Sequence, residues 1–503
     1  MNALLAGGSI INSYPIFLLT LLLAIDTGNT QNLENSSYSH YYQFIISRAL
    51  IELRLSNADL ESYYSFLTNL AELLFLSRSR VISRQDFADF HNKFILFYRV
   101  SPHSGMVYQF DKLKENLCNA DILEEYKGSF SFKQGFVYYF FVGKYLSENR
   151  TSSQGKETIL NLIKGLQYEE YTNIVMFVIH HTKEDYILRA IIDRAKNMFA
   201  HFEPLKLEND TSYIGDLLKE VPTAVLKKMG AQEYRIEKSR QKDKANPPKE
   251  KALALRDKEI PPAKGDDPNA IEFVTNLIIA SRLISLMGQI LINYRSIPGD
   301  TQVEIAEETY LLSLRSLGGI FDLFDKQNDK IIDNISKRIL ADGISDESKI
   351  KRQAKILLFN IYHVLAYSLI KIASDSIGSD TLSAVVVNIP RKYPYLSVAL
   401  IDISAKLDHY HGFPQGELVN FMKMISMPRS PIHSSFIDGR VKSGPQIQKS
   451  RILPFTVLRQ LLEEYLYKFP PDYKDKHRIS SIVGIKIPEQ LMIGQTSEER
   501  TEK

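Results

Sequence analysis

Apolar residues recur at helical spacing along nearly the whole chain, and the clearest break is a short alternation over residues 129–133. A stripe of that period packs one face of a helix against a neighbour, so the chain is directed to a mainly α fold. Over 41–55 the pattern sets Phe44, Ile45, Ala49, Leu50 and Leu53 near one face. Leu60, Tyr63, Tyr64, Leu67, Leu70, Ala71, Leu74 and Phe75 continue it, with Asn57 or Asp59 able to cap the helix. Ser83-Arg-Gln-Asp86 has a capping-box layout ahead of Phe87, Phe90 and Phe94. Residues 111–125 read as a further helix. Gly128 stops the pattern, 129–133 alternate as a strand does, and 136–146 are helical again and dense in aromatic rings.

Helical stripes then cover 158–166, 170–181, 185–202 and 214–228. Residues 227–267 differ: twelve basic and eight acidic residues, with Pro247, Pro248, Pro261 and Pro262. Such a segment buries too little apolar surface to offset chain entropy. It reads as a flexible linker, or as a charged helix that frays at Asn246-Pro247. Beyond it, Ile271, Val274, Ile278, Leu283, Leu286, Ile290 and Leu291 open a second helical half. Further helices are expected over 305–324, 349–373, 395–407, 417–425 and 453–469, and the tail is polar. No repeat with a fixed signature is visible, which argues against a regular solenoid.

Charge is nearly balanced, 62 basic against 59 acidic residues, a net +3. That total calls for neither nucleic acid nor a membrane as partner. The single cysteine, Cys118, excludes a disulfide within the chain and a cysteine metal cluster, and suits a reducing cytoplasm. Residues 1–25 hold no charged side chain. Their dense apolar part, 16–25, is half the roughly 20 residues that a spanning helix needs. No basic residue precedes it and no small-residue cleavage site follows it. A buried helix with Pro15 in its first turn is expected there, with a signal or membrane segment as the rival reading.

The chain shows no catalytic constellation. Gly155-Lys156 is followed by Glu157, and Arg150 stands where a Walker motif needs its first glycine. Neither a Rossmann glycine fingerprint nor a Gly-x-Ser-x-Gly elbow occurs. His180-His181 closes a helix, where a protonated imidazole gains from the helix C-terminus. Asp408-His-Tyr-His411 could ligate a metal if extended, but no partner cluster follows at useful spacing. Asp322, Asp325 and Asp329 lack the glycine and closing glutamate of a calcium loop. Arg315 with Tyr310, or Arg391-Lys392-Tyr393, could stack on nucleic acid, though such pairs are commonly surface residues. Catalytic and metal residues are therefore expected to be none.

Residues 12–146 resemble the region that follows the nucleotide-binding core in NACHT-type STAND P-loop NTPases. Ser13-Tyr-Pro-Ile-Phe-Leu-Leu-Thr-Leu-Leu-Leu23 resembles the proline-leucine helix that opens the family's helical lid. Residues 44–98 resemble its winged-helix module. Ile122, Leu123, Gly128 and Phe132, leading into Tyr139-Phe-Phe-Val-Gly-Lys-Tyr-Leu146, resemble its wing strand and the helix after it. Gln134 stands where the family has histidine, and Tyr139 where it has glutamate. Tyr168-Glu-Glu-Tyr-Thr-Asn-Ile-Val-Met-Phe-Val-Ile-His-His-Thr182 resembles the continuation in tyrosine-rich bacterial members. Gly288-Gln-Ile-Leu-Ile-Asn-Tyr294 and Tyr310-Leu-Leu-Ser-Leu-Arg-Ser-Leu317 resemble the helical region further on.

The resemblance implies a helical lid and winged-helix module over 1–126, a helical domain starting with the wing strand over 127–226, and a charged linker over 227–268. A C-terminal helical domain over 269–487 and a disordered tail over 488–503 complete it. It implies a regulatory and sensor portion without the ATPase core that would precede Asn12. Only Pro15 carries over as nucleotide-proximal, and no cofactor is expected unless ATP or ADP arrives with a supplied core. Partners would be proteins, a separate NTPase core or further copies, in a cytoplasmic antiviral setting. The alternatives are an unrelated helical scaffold that binds proteins and a metal-dependent enzyme using Asp408, His409 and His411.

Overall fold

The computed structural model describes residues 38–51, 57–100, 107–182, 184–215, 217, 231–245, 268–294, 297–341, 346–409, 413–426, 449–468, 473–485 and 487. Pro15, the apolar segment 16–25, His411 and the tail 488–503 lie outside them. In chain order the longer elements are α1 (Tyr38–Ile51), α2 (Asn57–Leu76), β1 (Val81–Ser83), α3 (Arg84–Tyr98) and α4 (Phe110–Asn119). Then come β2 (Leu123–Tyr126), β3 (Ser129–Phe132), α5 (Gly135–Glu148), α6 (Ser153–Lys164), α7 (Glu169–His181) and α8 (Asp185–Asn197). After these come α9 (Ala231–Ala245), α10 (Pro268–Asn293), α11 (Gly299–Lys326), α12 (Asn328–Ala341) and α13 (Glu347–Ile377). The last are α14 (Leu396–His409), α15 (Gln415–Ile425), α16 (Ile452–Lys468) and α17 (Tyr473–Val483). The fold is mainly α, as the periodicity requires.

The described chain divides into two compact units, one drawn from 1–197 and 250–296, the other from 198–249 and 297–503. This division differs from the ranges expected above. The β2–β3 hairpin straddles position 126/127, because Leu123 pairs with Phe132 and Tyr126 with Ser129. α10, expected with the C-terminal half, packs instead on α7 and α8, and Arg282 Nη1 donates to the Leu166 carbonyl at 2.8 Å. Its buried Ile279, Leu283, Met287 and Ile290 find their apolar partners there.

In the first unit the three strands form an antiparallel sheet of order β1-β3-β2. The helix expected over 111–125 is shorter. α4 stops at Asn119 because Asp121 turns to φ 57°, and the Asp121 and Ile122 amides bond back to Cys118 and Leu117. Leu123-Glu-Glu-Tyr126 then extends as a strand although glutamate favours helix, since pairing to β3 outweighs local preference. Lys127 and Gly128 both hold positive φ, 50° and 76°, the backbone that a two-residue hairpin turn demands. The expected Ser83 cap is present: the Asp86 amide donates to Ser83 Oγ at 3.1 Å, and that hydroxyl donates to the Asp86 carboxylate at 2.6 Å.

In the second unit α11, α12, α14 and α16 surround α13, with α15 and α17 beyond α14. The segment expected to be a flexible linker contains α9, which ends just before Asn246-Pro247. Tyr234 anchors α9 by stacking on Tyr467 of α16 at 4.2 Å and 13° between planes. That buried ring contact sits in a segment whose composition is otherwise that of a solvated helix. Ile271–Asn293 and Glu347–Ile377 are long and apolar enough to cross a membrane by length and composition. Both also bury a face in their own unit, as core helices do.

Candidate functional site

The aromatic helix α5 is the hub of the first unit, packed between α2 and α7. Glycine at 143 allows this: a Cβ there would stand 2.6 Å from the Phe177 Cβ and 2.9 Å from its carbonyl carbon. The helices therefore approach to backbone contact, and the rings fill the flanks. Tyr42 of α1 meets Phe136 and Phe177, each at 5.1 Å between centroids. Tyr64 of α2 meets Phe141 at 5.5 Å, and Phe132 at the end of β3 lies 6.2 Å from Phe141. Phe132, Phe136 and Phe140 are buried, as expected of packing residues. Gln134 is the N-cap of α5 and makes no side-chain cap bond.

Arg80 and Glu170 fasten the sheet to these helices, and their sequence separation hid them. The Arg80 guanidinium lies 3.8 Å from the centroid of the Tyr138 ring and 4.9 Å from that of Tyr139. It pairs with Glu170, in the first turn of α7, at 3.3 Å. Burial works against its charge, but Glu170 and the two tyrosines outweigh burial and hold its pKa above the ordinary value. Arg80 thus links the Glu170 carboxylate to the Tyr138 and Tyr139 rings.

Polar groups around the hub are structural. Tyr145 is pushed up to about 12 by burial and by the neighbouring Glu72 carboxylate. His181 corrects the helix-terminus expectation. Burial lowers it to about 4, so the ring is neutral, and its Nε2 bonds to the Phe140 carbonyl at 3.2 Å. A neutral imidazole gains nothing as a cation from the helix dipole; it fills the seam between α5 and α7. Cys118 is half-buried, and burial with nearby Glu125 raises its thiol, which disfavours the reactive thiolate. Gly155-Lys156 sits at the start of α6, where the Gly155 amide is taken by Ser152 Oγ at 3.0 Å. The amide a phosphate would use is already satisfied by a helix cap.

In the second unit Asp408 and His409 belong to an ion cluster. Lys371 bonds to Asp408 and, at 2.6 Å, to Asp375; His409 Nε2 lies 3.3 Å from Asp375. Burial alone would lower Lys371, but Asp375 and Asp408 outweigh it and raise it. Burial alone would raise Asp375, but His409 and Lys371 hold it below the usual carboxylate range. The ammonium thus stands where a metal reading would put the cation. Among the described residues no group of three or more His, Cys, Asp or Glu is placed to hold a metal ion. Arg315 is likewise no surface cation: it is buried, donates to Glu308 at 2.5 Å, and also bonds the Met198 carbonyl. Tyr310 is fully buried, which removes that pair as a nucleic-acid contact. Lys392 pairs with Glu307 at 2.8 Å, and Asp322 with Lys326 at 2.7 Å.

No curated protein and no solved structure matches this chain. Residues 80–142 match the family described as Novel STAND NTPase 4. The match begins at Arg80, takes in the whole sheet, and ends on the α5 hub, so this region is related to STAND NTPases.

Proposed function

We propose that the chain is the regulatory and sensor portion of a STAND-type signal-transduction NTPase, acting by protein–protein contact and conformational switching in bacterial antiviral defence. The observation that carries this reading is where the family match falls. Residues 57–132 run helix–strand–helix–helix–strand–strand with sheet order β1-β3-β2. That order supports a winged-helix module of the NACHT type, with β2 and β3 as the wing.

In this reading the module holds a nucleotide-binding core in its resting arrangement, and nucleotide exchange releases it. The 503 residues hold no Walker motif, so the core is supplied by further chain or by a separate subunit. ATP or ADP binds only with that core, near Pro15, and these residues perform no hydrolysis themselves. The setting is cytoplasmic. A switch of this kind needs an interface with two arrangements whose balance the nucleotide shifts. The Arg80–Glu170 pair and the rings of α5 make the sheet and α7 one packed body. The moving interface therefore lies outside that body. The test is hydrolysis and gel filtration of the full chain alone and with the NTPase core. The reading expects no ATP turnover alone, and a complex with the core that ADP tightens and ATP loosens. ATP turnover by the chain alone, or no complex in either nucleotide state, overturns it.

A further inference from the structure

α9 buries one ring and exposes nearly all of its other described side chains. Tyr234 is buried and Glu237 half-buried, while Gln232, Glu233, Arg235, Ile236, Lys238 and Arg240 are exposed. Gly230 precedes the helix and Asn246-Pro247 follows it, and proline disfavours helix at the residue before it. α9 therefore stands apart as a helix of 15 residues. A helix of that length is marginal in water on its own, so its order depends on what it docks against.

What it docks against is acidic and aromatic. Tyr467 of α16 stacks on Tyr234 and is 0% exposed. Glu463 and Glu464 stand four and three residues before Tyr467, so both flank it on the surface of α16. Burial pushes the Tyr234 hydroxyl up, and the Glu464 and Glu463 carboxylates add to it, as neighbours of the docked ring do. Glu464 also bonds the Tyr367 hydroxyl of α13, which ties it to the core helix behind. α9 brings the opposite charge: Lys238, one turn beyond Tyr234, sets its ammonium 5.6 Å from the Tyr234 ring centroid. An aromatic anchor with a cation beside it, laid on a helix face, is the helix-in-groove mode of recognition.

We propose that α9 is a displaceable clasp: the face of α16 around Tyr467 is a docking seat for a basic helix with one aromatic anchor, filled in the resting chain by α9 and open to a partner protein's helix of that chemistry when α9 lifts. Lifting removes Tyr234 from the seat and bares Tyr467. It leaves the rest of α16 in place, because Leu458 and Leu462 on its opposite face are buried in the core of the second unit. An element that buries so little opens locally, well before the whole unit unfolds. A free partner helix competes with a tethered one, so the clasp sets how much affinity a partner needs. The seat belongs to the second unit and involves no nucleotide, so its test is separate from that of the proposed function.

Hydrogen exchange and a peptide probe test this on the full chain. In the wild type the α9 amides should exchange about a hundredfold or more faster than those of α13 and α16. A labelled peptide with the sequence of Ala231–Ala245 should bind the full-length Tyr234→Ala chain, whose own clasp has lost its anchor. It should bind the wild type at least about tenfold more weakly, because α9 holds the seat. The same peptide carrying Tyr234→Ala should bind neither. Circular dichroism checks that the Tyr234→Ala chain folds. Exchange in α9 as slow as in α13 and α16 overturns the proposal, whatever the variant does. So does a folded Tyr234→Ala chain that ignores the peptide, or binding indifferent to the peptide's tyrosine. A wild-type dimer dissolved by Tyr234→Ala also overturns it, since α9 would then seat on a second copy.

Discussion

The first unit closes around rings, the second around long aliphatic helices pinned by buried ion pairs. Tyr42, Phe66, Phe87, Phe130, Phe140, Phe141 and Phe177 fill the first with scarcely any exposure, and the half-buried His181 beside them is neutral. In the second, Glu308–Arg315 and Lys371 with Asp375 and Asp408 lie inside the helical stack. Rings gain from area and tolerate several packing angles, so they suit a crowded junction of sheet and helices. A buried ion pair adds little net stability, but removing one partner strands the other charge. The first unit should therefore yield to loss of volume, and the second to loss of charge balance.

The largest effect is expected from Phe141→Ala, which opens a cavity at the α2–α5–β3 junction and should cost about 3–5 kcal/mol. Urea unfolding followed by hydrogen exchange should localise that loss to the first unit. Glu308→Ala should cost the second unit a similar ~3–5 kcal/mol by leaving Arg315 buried without its carboxylate. Glu308→Leu combined with Arg315→Met should restore most of it. If the double change is as damaging as the single, packing and not charge governs that core.

Acid should weaken the first unit through His181. His181 ordinarily titrates at 6.5 and is lowered to about 4 in the folded state. Between those values the unfolded chain binds the extra proton, so stability falls as pH drops, by on the order of 3 kcal/mol in total. His181→Gln should flatten that slope in the first unit. Asp375 is depressed, so its contribution is present above the usual carboxylate pKa of about 4 and is lost only below it, in the second unit. His363 in the second unit is also lowered by burial, so acid weakens that unit in the same direction, and a first-unit slope unchanged by His181→Gln would contradict the role given to His181.

Arg80→Ala should cost about 2 kcal/mol by removing a half-buried ion pair and its ring contacts, and Arg80→Lys should recover part of it. Hydrogen exchange in β1 and the first turn of α7 reads this directly. Ser83→Ala, which removes only the α3 cap, is expected to cost about 1 kcal/mol.

Much of the fold was legible because helical stripes are local. The α5 and α7 helices, the Ser83 cap and strand β3 all stand where spacing placed them. The misreadings share a cause: partners distant in sequence. Leu123–Tyr126 has the composition of a helix end and extends only because β3 offers a ladder. α9 has the composition of a linker and is held by Tyr467, more than two hundred residues away. Arg315 and His181 read as surface or charged terminal groups, since burial of such a side chain is invisible until its partner is placed. Arg80 and Glu170 gave no local signal at all. The aromatic segment that bears on the STAND relationship was legible.

The proposed function makes this chain the controller of a nucleotide switch. A pull-down with the full chain as bait, in extracts of the native cell with ADP or ATP added, tests it most directly. The account predicts recovery of a Walker-motif NTPase core, retained in ADP and released in ATP. Recovery of no such core, or retention indifferent to the nucleotide, would contradict it.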